Sequence, residues 1–165
     1  MILKQLDKAF GLTAQNKIND TKQRSFEGAL ACLETFYYSF NNKDLETLTK
    51  IWYKDNLIQL NNPLGGMVRG INPTTAIYDK IFNGPANVWV EFTNIIYYET
   101  ASMIVFAGME TGESKTKGTT LQLEIRTTRI FGYSEDDDNW FQLHHHGSID
   151  NAELLDKYQK AIRNK

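Results

Sequence analysis

Only one cysteine, Cys32, occurs in the 165 residues. It cannot close an internal disulfide, and no Cys-x-x-Cys pair exists to build a zinc ribbon or a dithiol redox centre. Cys32 sits in an apolar periodic stretch, which reads as a small buried hydrophobe and not as a nucleophile. Neither sign of charge is in excess: 18 Lys+Arg against 20 Asp+Glu leave a formal charge of −2. That balance gives no electrostatic footprint for nucleic acid. Long apolar runs are missing too. No stretch approaches the roughly 20 apolar residues that cross a bilayer. Met1–Phe10 (MILKQLDKAF) lacks the continuous apolar core of a secretory signal. The expectation is a cytoplasmic protein without a membrane partner.

What is present supports a folded domain. Hydrophobic residues make up 41% and aromatic residues 12% of the chain, which argues against global disorder. A chain this long most often forms one domain and hides roughly 70% of its unfolded surface.

The organisation begins with a distinct arm, residues 1–24. Leu3, Leu6 and Phe10 fall at helical spacing, so a short helix is expected there, followed by a polar linker. The main domain, 25–165, opens with Phe26, Leu30, Leu33, Tyr37 and Phe40 on one helical stripe. Asp44 can cap a second helix with Leu45, Leu48 and Trp52 on its apolar side. A short strand, 56–60, precedes a loop through Asn61-Asn62-Pro63 and Gly65-Gly66. Asn72-Pro73 signals the start of a third helix, which stops at Gly84-Pro85. The period then changes to two. Alternation around Val88–Phe92, Met103–Gly108, Leu121–Arg126 and Trp140–Ser148 gives four strands with short connections, hence antiparallel pairing. Asp150 and Glu153 open a last helix carrying Leu154, Leu155, Tyr158 and Ile162. Helices followed by a run of strands imply α+β architecture. An antiparallel sheet that curves around the helices would leave a cavity at its open end.

His144-His145-His146 holds all three histidines. Strict alternation puts His144 and His146 on one face and His145 on the other. The pair could serve as cavity polar groups or as an acid–base pair. With Glu110 or Glu124 it could also ligate a metal, although zinc needs three or four ligands. Simple hydrogen bonding on a half-buried strand is the plainer alternative. Arg126 and Arg129 interrupt the apolar alternation of their strand. Either both form surface ion pairs or one enters the cavity to hold a carboxylate. Arg69 ends a glycine-containing loop that lacks any phosphate-binding fingerprint, and reads as a rim residue. Tyr37, Trp52, Tyr53, Tyr97 and Tyr98 are either core or cavity wall. Asp136-Asp137-Asp138 is a solvated turn without the further ligands of a calcium loop.

Several of these residues carry a resemblance: Tyr37 to Phe40 in the first helix, Leu48 with Ile51-Trp52 in the second, Gly65-Gly66-Met67-Val68-Arg69-Gly70 before the third, and above all the closing Trp140-Phe141-Gln142-Leu143-His144-His145-His146-Gly147-Ser148. Over residues 25–148 the chain resembles the SnoaL-like group of the nuclear transport factor 2-like (cystatin-like α+β) superfamily. The resemblance implies a cone of curved antiparallel sheet wrapped around the N-terminal helices, enclosing a pocket, in a homodimer packed through the sheet. The superfold hosts isomerases, cyclases, dehydratases, epoxide hydrolases and non-catalytic association domains, so it settles fold and not activity. No carboxylate here falls in a diagnostic motif. Asp55 and Asp79 lie near helix ends outside any, and no catalytic residue is carried over. The functional expectation is a small hydrophobic or aromatic metabolite bound in the cone, with proton-transfer chemistry of the isomerase, cyclase or dehydratase kind. The alternative is a homodimerisation or interaction module. Tyr37, Trp52, Tyr53, Arg69, Arg129, His144 and His146 are the expected pocket residues, with His144 and His146 the catalytic candidates. No metal or other cofactor is called for.

Overall fold

The computed structural model describes residues 1–163, without the side chains of Ile162 and Arg163. The expected contribution of Ile162 to the last helix therefore lies outside the described residues. Seven strands form one sheet, in the order β1 (Ile2–Leu6), β4 (Asn87–Glu99), β5 (Met103–Thr116), β6 (Thr119–Ser134), β7 (Asn139–Ser148), β2 (Gln59–Asn61) and β3 (Met67–Arg69). The long meander β4 (Asn87–Glu99), β5 (Met103–Thr116), β6 (Thr119–Ser134) and β7 (Asn139–Ser148) is antiparallel throughout. It is the run of alternating sequence, with each apolar phase turned inward. Two bulges interrupt it. One lies in β4 between Thr93 and Ile96, and the other in β7 at Leu143, where the register steps from Phe131↔Gln142 to Ile130↔His144. An extra residue on one strand bends the ladder and raises its twist, so these bulges help curl the sheet.

Helix α1 (Phe26–Asn41) fills the concave face with Ala29, Cys32, Leu33, Phe36 and Tyr37, each at most 1% exposed. Gly28 permits its close approach to the chain before it, since a Cβ there would lie 1.9 Å from the Gln23 carbonyl oxygen. That oxygen accepts from Trp140 Nε1 at 2.9 Å. Helix α2 (Leu45–Lys50) is capped by Asp44, which accepts from the Thr47 amide at 3.0 Å. Trp52 lies beyond α2, bridged to Gln142 of β7. Helix α3 (Ile71–Phe82) starts earlier than its Asn-Pro signal, because Gly70, at φ +86°, takes the N-cap. Pro73 then sits in the first turn, where no amide is needed. Helix α4 (Ala152–Arg163) is capped by Asn151, whose side chain accepts from the Leu154 amide, and not by Asp150.

Three elements differ from expectation. The helix expected through Leu3, Leu6 and Phe10 is strand β1 (Ile2–Leu6), paired antiparallel with β4 from Ile2↔Glu99 to Leu6↔Ile95. A short isolated helix is marginal in water, while the edge of β4 offers a complete ladder. Phe10 then crosses to the concave side, 1% exposed, and stacks beside Tyr37. The loop around Gly65-Gly66 is a tight connection between β2 (Gln59–Asn61) and β3 (Met67–Arg69), with both glycines at φ near +100°. The short strand β2 itself begins later than expected and runs parallel to β7.

Candidate functional site

Three strands and two helices converge their polar side chains at one place inside the cone. Alternation along β6 turns Thr127, Arg129 and Phe131 inward, all at most 2% exposed. On β5 the same phase delivers Phe106, then Glu110, 4% exposed. On β7 the bulge at Leu143 resets the phase, so Gln142 and His145 both face in although they are an odd number of residues apart. Arg129 and His145 are direct cross-strand partners.

Arg129 is the hub. Its Nη2 donates to Glu110 Oε1 at 2.8 Å, its Nε to the Tyr37 hydroxyl at 3.0 Å and its Nη1 to Gln142 Oε1 at 3.2 Å. The Tyr37 hydroxyl in turn donates to Glu110 Oε1 at 2.6 Å. The guanidinium lies 3.5 Å from the centre of the Phe36 ring, a cation–π seat. Burial works against a charge on Arg129, but Tyr37 and Glu110 more than offset it, and its pKa stays above the usual guanidinium value. Burial pushes the Tyr37 hydroxyl far up and the Tyr78 hydroxyl up to about 12, so both are neutral at physiological pH. Burial, then the nearby Arg129 charge, pulls His145 well below the ordinary imidazole value. It is a neutral imidazole at pH 7.

Arg129, Glu110 and His145 line a cavity of about 220 Å³, whereas Tyr37 and Gln142 hold Arg129 without bordering it. The remaining wall is largely apolar, with Phe40, Ile77, Val90, Leu123 and Ile125 prominent in it and Asn62 and Lys80 among its polar members. Some polar capacity is left over. A guanidinium has five N–H donors, and three of those on Arg129 are engaged. Both hydrogen bonds to Glu110 fall on Oε1, leaving Oε2 without one among the described residues. His145, also on the lining, has its Nδ1 enclosed without a partner among the described residues. The site therefore offers donors and an acceptor together, with the Arg129 and Glu110 charges paired and Lys80 also on the lining.

Of the expected pocket residues, the structure brings Tyr37 and Arg129 together here. His144 and His146 lie on the outer face of the sheet, with His146 Nδ1 3.1 Å from Asn61 Nδ2. His145 takes the inward place, because the bulge breaks the strict alternation on which the pair was assigned. Glu110, on the inner face, is thereby separated from both. Trp52 is buried against Tyr78 and its Nε1 has no partner. Tyr53 packs on Phe141, and Arg69 donates to Gln59 on the exposed β2–β3 hairpin. None of these three borders the cavity. Glu110, His145 and Tyr78 line the cavity and were not among the expected pocket residues. Glu110 was legible in principle, as a carboxylate in the inward phase of Phe106-Gly108-Glu110; His145 was not, since nothing local announces the bulge.

Residues 29–151 match the family model described as a SnoaL-like domain. No curated protein sequence matches the chain. Among solved structures, a candidate dehydratase of the NTF2-like family from Streptomyces avermitilis aligns with a TM-score of 0.67 at 19% identity, over 76% of this chain and 96% of that one. An NTF2-like superfamily protein from Salmonella enterica aligns at 0.62 and 16% identity, over 79% and 91%. The CamKII hub homology domain of Chlamydamonas reinhardtii aligns at 0.59 and 15% identity, over 77% and 100%. At these identities the likeness is one of fold.

Proposed function

The chain belongs to the SnoaL-like domain family, and from that premise we propose that its cavity binds a small, uncharged, single-ring metabolite bearing a hydroxyl or enol group. The observation that carries this reading is the uncommitted polar capacity of Arg129, Glu110 and His145 at one side of a largely apolar cavity. A hydroxyl can accept from Arg129 or His145 while donating to Glu110 Oε2. A carboxylate would compete with Glu110 for Arg129 and strand one negative charge out of water. Size agrees. An apolar cavity of about 150 Å³ takes benzene, so about 220 Å³ suits one substituted ring. A carboxylate oxygen beside a neutral imidazole is also the equipment of proton transfer, which extends the reading to isomerisation, cyclisation or dehydration. Thermal unfolding with 4-methylphenol tests binding: at 100 times its Kd it should add about 2.7 kcal/mol to stability. Benzoate at the same concentration should add nothing.

The outer face of the sheet supports a second reading, self-association. Leu3, Tyr98, Val105 and Ile130 stand in one register row across β1, β4, β5 and β6. Leu3 is 60% and Tyr98 39% exposed. A second copy of this chain is the occupant this row fits, and the likeness to a hub homology domain supports that choice. Sedimentation should show a dimer, and Ile130→Asp should convert it to monomer. No described helix is long and apolar enough to cross a membrane. Cytoplasmic residence belongs to the same proposal, supported by a lone free thiol.

A further inference from the structure

Helix α4 stands apart from the rest of the cavity wall. It begins at Ala152, beyond the family-matched residues 29–151. It nevertheless supplies one piece of that wall, the ring of Tyr158, 6% exposed. Tyr158 is its only buried residue among those described, whereas ten of the sixteen residues of α1 are buried. Leu154 and Leu155 are half-buried at the margin of the core. Among the described residues, one hydrogen bond clips the helix down: Gln159 Nε2 donates to the Leu64 carbonyl at 2.8 Å. Leu64 belongs to the β2–β3 turn, which borders the same cavity through Asn62, Pro63 and Leu64.

The helix is also equipped to persist when undocked. Glu153–Lys157 and Asp156–Lys160 are i,i+4 ion pairs at 2.6 and 2.7 Å, in the acid-first order that supports an isolated helix. Asn151 caps its first turn. No strand of the sheet depends on α4 for its ladder, because every pairing partner lies within residues 2–148. Among the described residues, lifting α4 would cost one buried aromatic, two half-buried leucines, half-buried Ala161 and one hydrogen bond, and would leave every strand pairing in place. Elements held this lightly open locally, well below the free energy of global unfolding.

We propose that α4 is a detachable lid on the cavity, and that Tyr158 limits the ligand to a single ring. The proposal rests on the reading of the cavity as a binding site. Release of α4 admits the ligand; redocking of Tyr158 closes the wall behind it and shields the Arg129–Glu110 pair from water.

Hydrogen exchange on the full chain, combined with two neutral probes, tests it. The probes are 4-methylphenol, one ring, and N-phenyl-1-naphthylamine, three rings and fluorescent in apolar surroundings. Amides 155–161 should exchange at least about 100-fold faster than those of 32–40, and Gln159→Ala should accelerate them further without changing 32–40. Tyr158→Ala should bind the three-ring probe at least about 10-fold more tightly than the unsubstituted chain, while 4-methylphenol, which loses the closing wall, should not bind more tightly. Exchange over 32–40 reports whether each variant is folded. Amides 155–161 as slow as 32–40 would overturn the lid. So would equal affinity of the three-ring probe for the unsubstituted and Tyr158→Ala chains while 4-methylphenol binds both. Failure of 4-methylphenol to bind either chain would instead remove the binding-site reading, and with it the lid's purpose.

Discussion

Arg129→Met, with Glu110 left in place, is expected to lower the free energy of unfolding by about 3–5 kcal/mol, the largest loss of any single polar substitution in this chain. The methionine keeps an unbranched apolar stem of similar reach against Phe36, so the effect reports charge and not packing. What remains is a carboxylate 4% exposed, with only the Tyr37 hydroxyl donating to it. The group must then stay charged without compensation or take up a proton, and both outcomes are costly. The partner experiment is the double substitution Arg129→Met with Glu110→Gln. It removes both charges and should recover most of the loss, because a buried ion pair contributes little net stability once its desolvation is counted. Urea unfolding measures both, with unchanged m values showing that the midpoint shift is one of stability. A loss below about 1 kcal/mol in the single variant would mean that the pair is hydrated and that the cavity is open to water at this end.

Acidification should produce the second large effect. His145 is buried against Arg129, faces Glu110, Tyr78 and Tyr158 across the cavity, and has His144 and His146 beside it on its own strand. Its folded pKa lies well below the ordinary value, with burial the main cause and the Arg129 charge the next. The sign follows from proton counts. Below about pH 6.5 the unfolded chain binds a proton that the folded chain does not. Stability is therefore whole above that pH and falls as pH drops from there toward the folded pKa, by up to about 1.4 kcal/mol per unit. His144, lowered mainly by its partial burial, adds a smaller slope of the same sign. Urea midpoints at pH 7.5, 6.5 and 5.5 should decline accordingly, and His145→Asn should flatten most of the decline. A flat profile in the unsubstituted chain would place His145 in contact with solvent.

The outcome at these two residues shows what the sequence could and could not reveal. Arg129 was legible because a charged residue interrupted an apolar alternation, and alternation is a strong local signal. Its inward direction became certain only with Glu110 beside it. The four long strands, helix α1 and the helices-then-strands order were legible for the same reason: each carries a long, consistent period. His145 was not legible. One bulged residue, Leu143, reverses the facing of everything after it, and no turn or glycine marks that bulge. The error passed directly into the expected pair, His144 and His146. Strand β1 was missed on different grounds. Leu3, Leu6 and Phe10 fit a helix taken alone, and only the edge of β4, about 90 residues away, decides otherwise. Tyr158 was placed correctly on the apolar side of the last helix, but its position in the cavity wall depends on how α4 folds back across the concave face.

The proposed function places a ring bearing a hydroxyl against Arg129, Glu110 and His145, which line the cavity. Its most direct test is a titration of the imidazole resonances of the full chain at pH 7 with 4-methylphenol, and in parallel with benzoate. A saturable shift at His145 with 4-methylphenol, silence at His144 and His146 on the outer face, and no response to benzoate are expected. Tighter binding of benzoate, or shifts confined to His144 and His146, would contradict it.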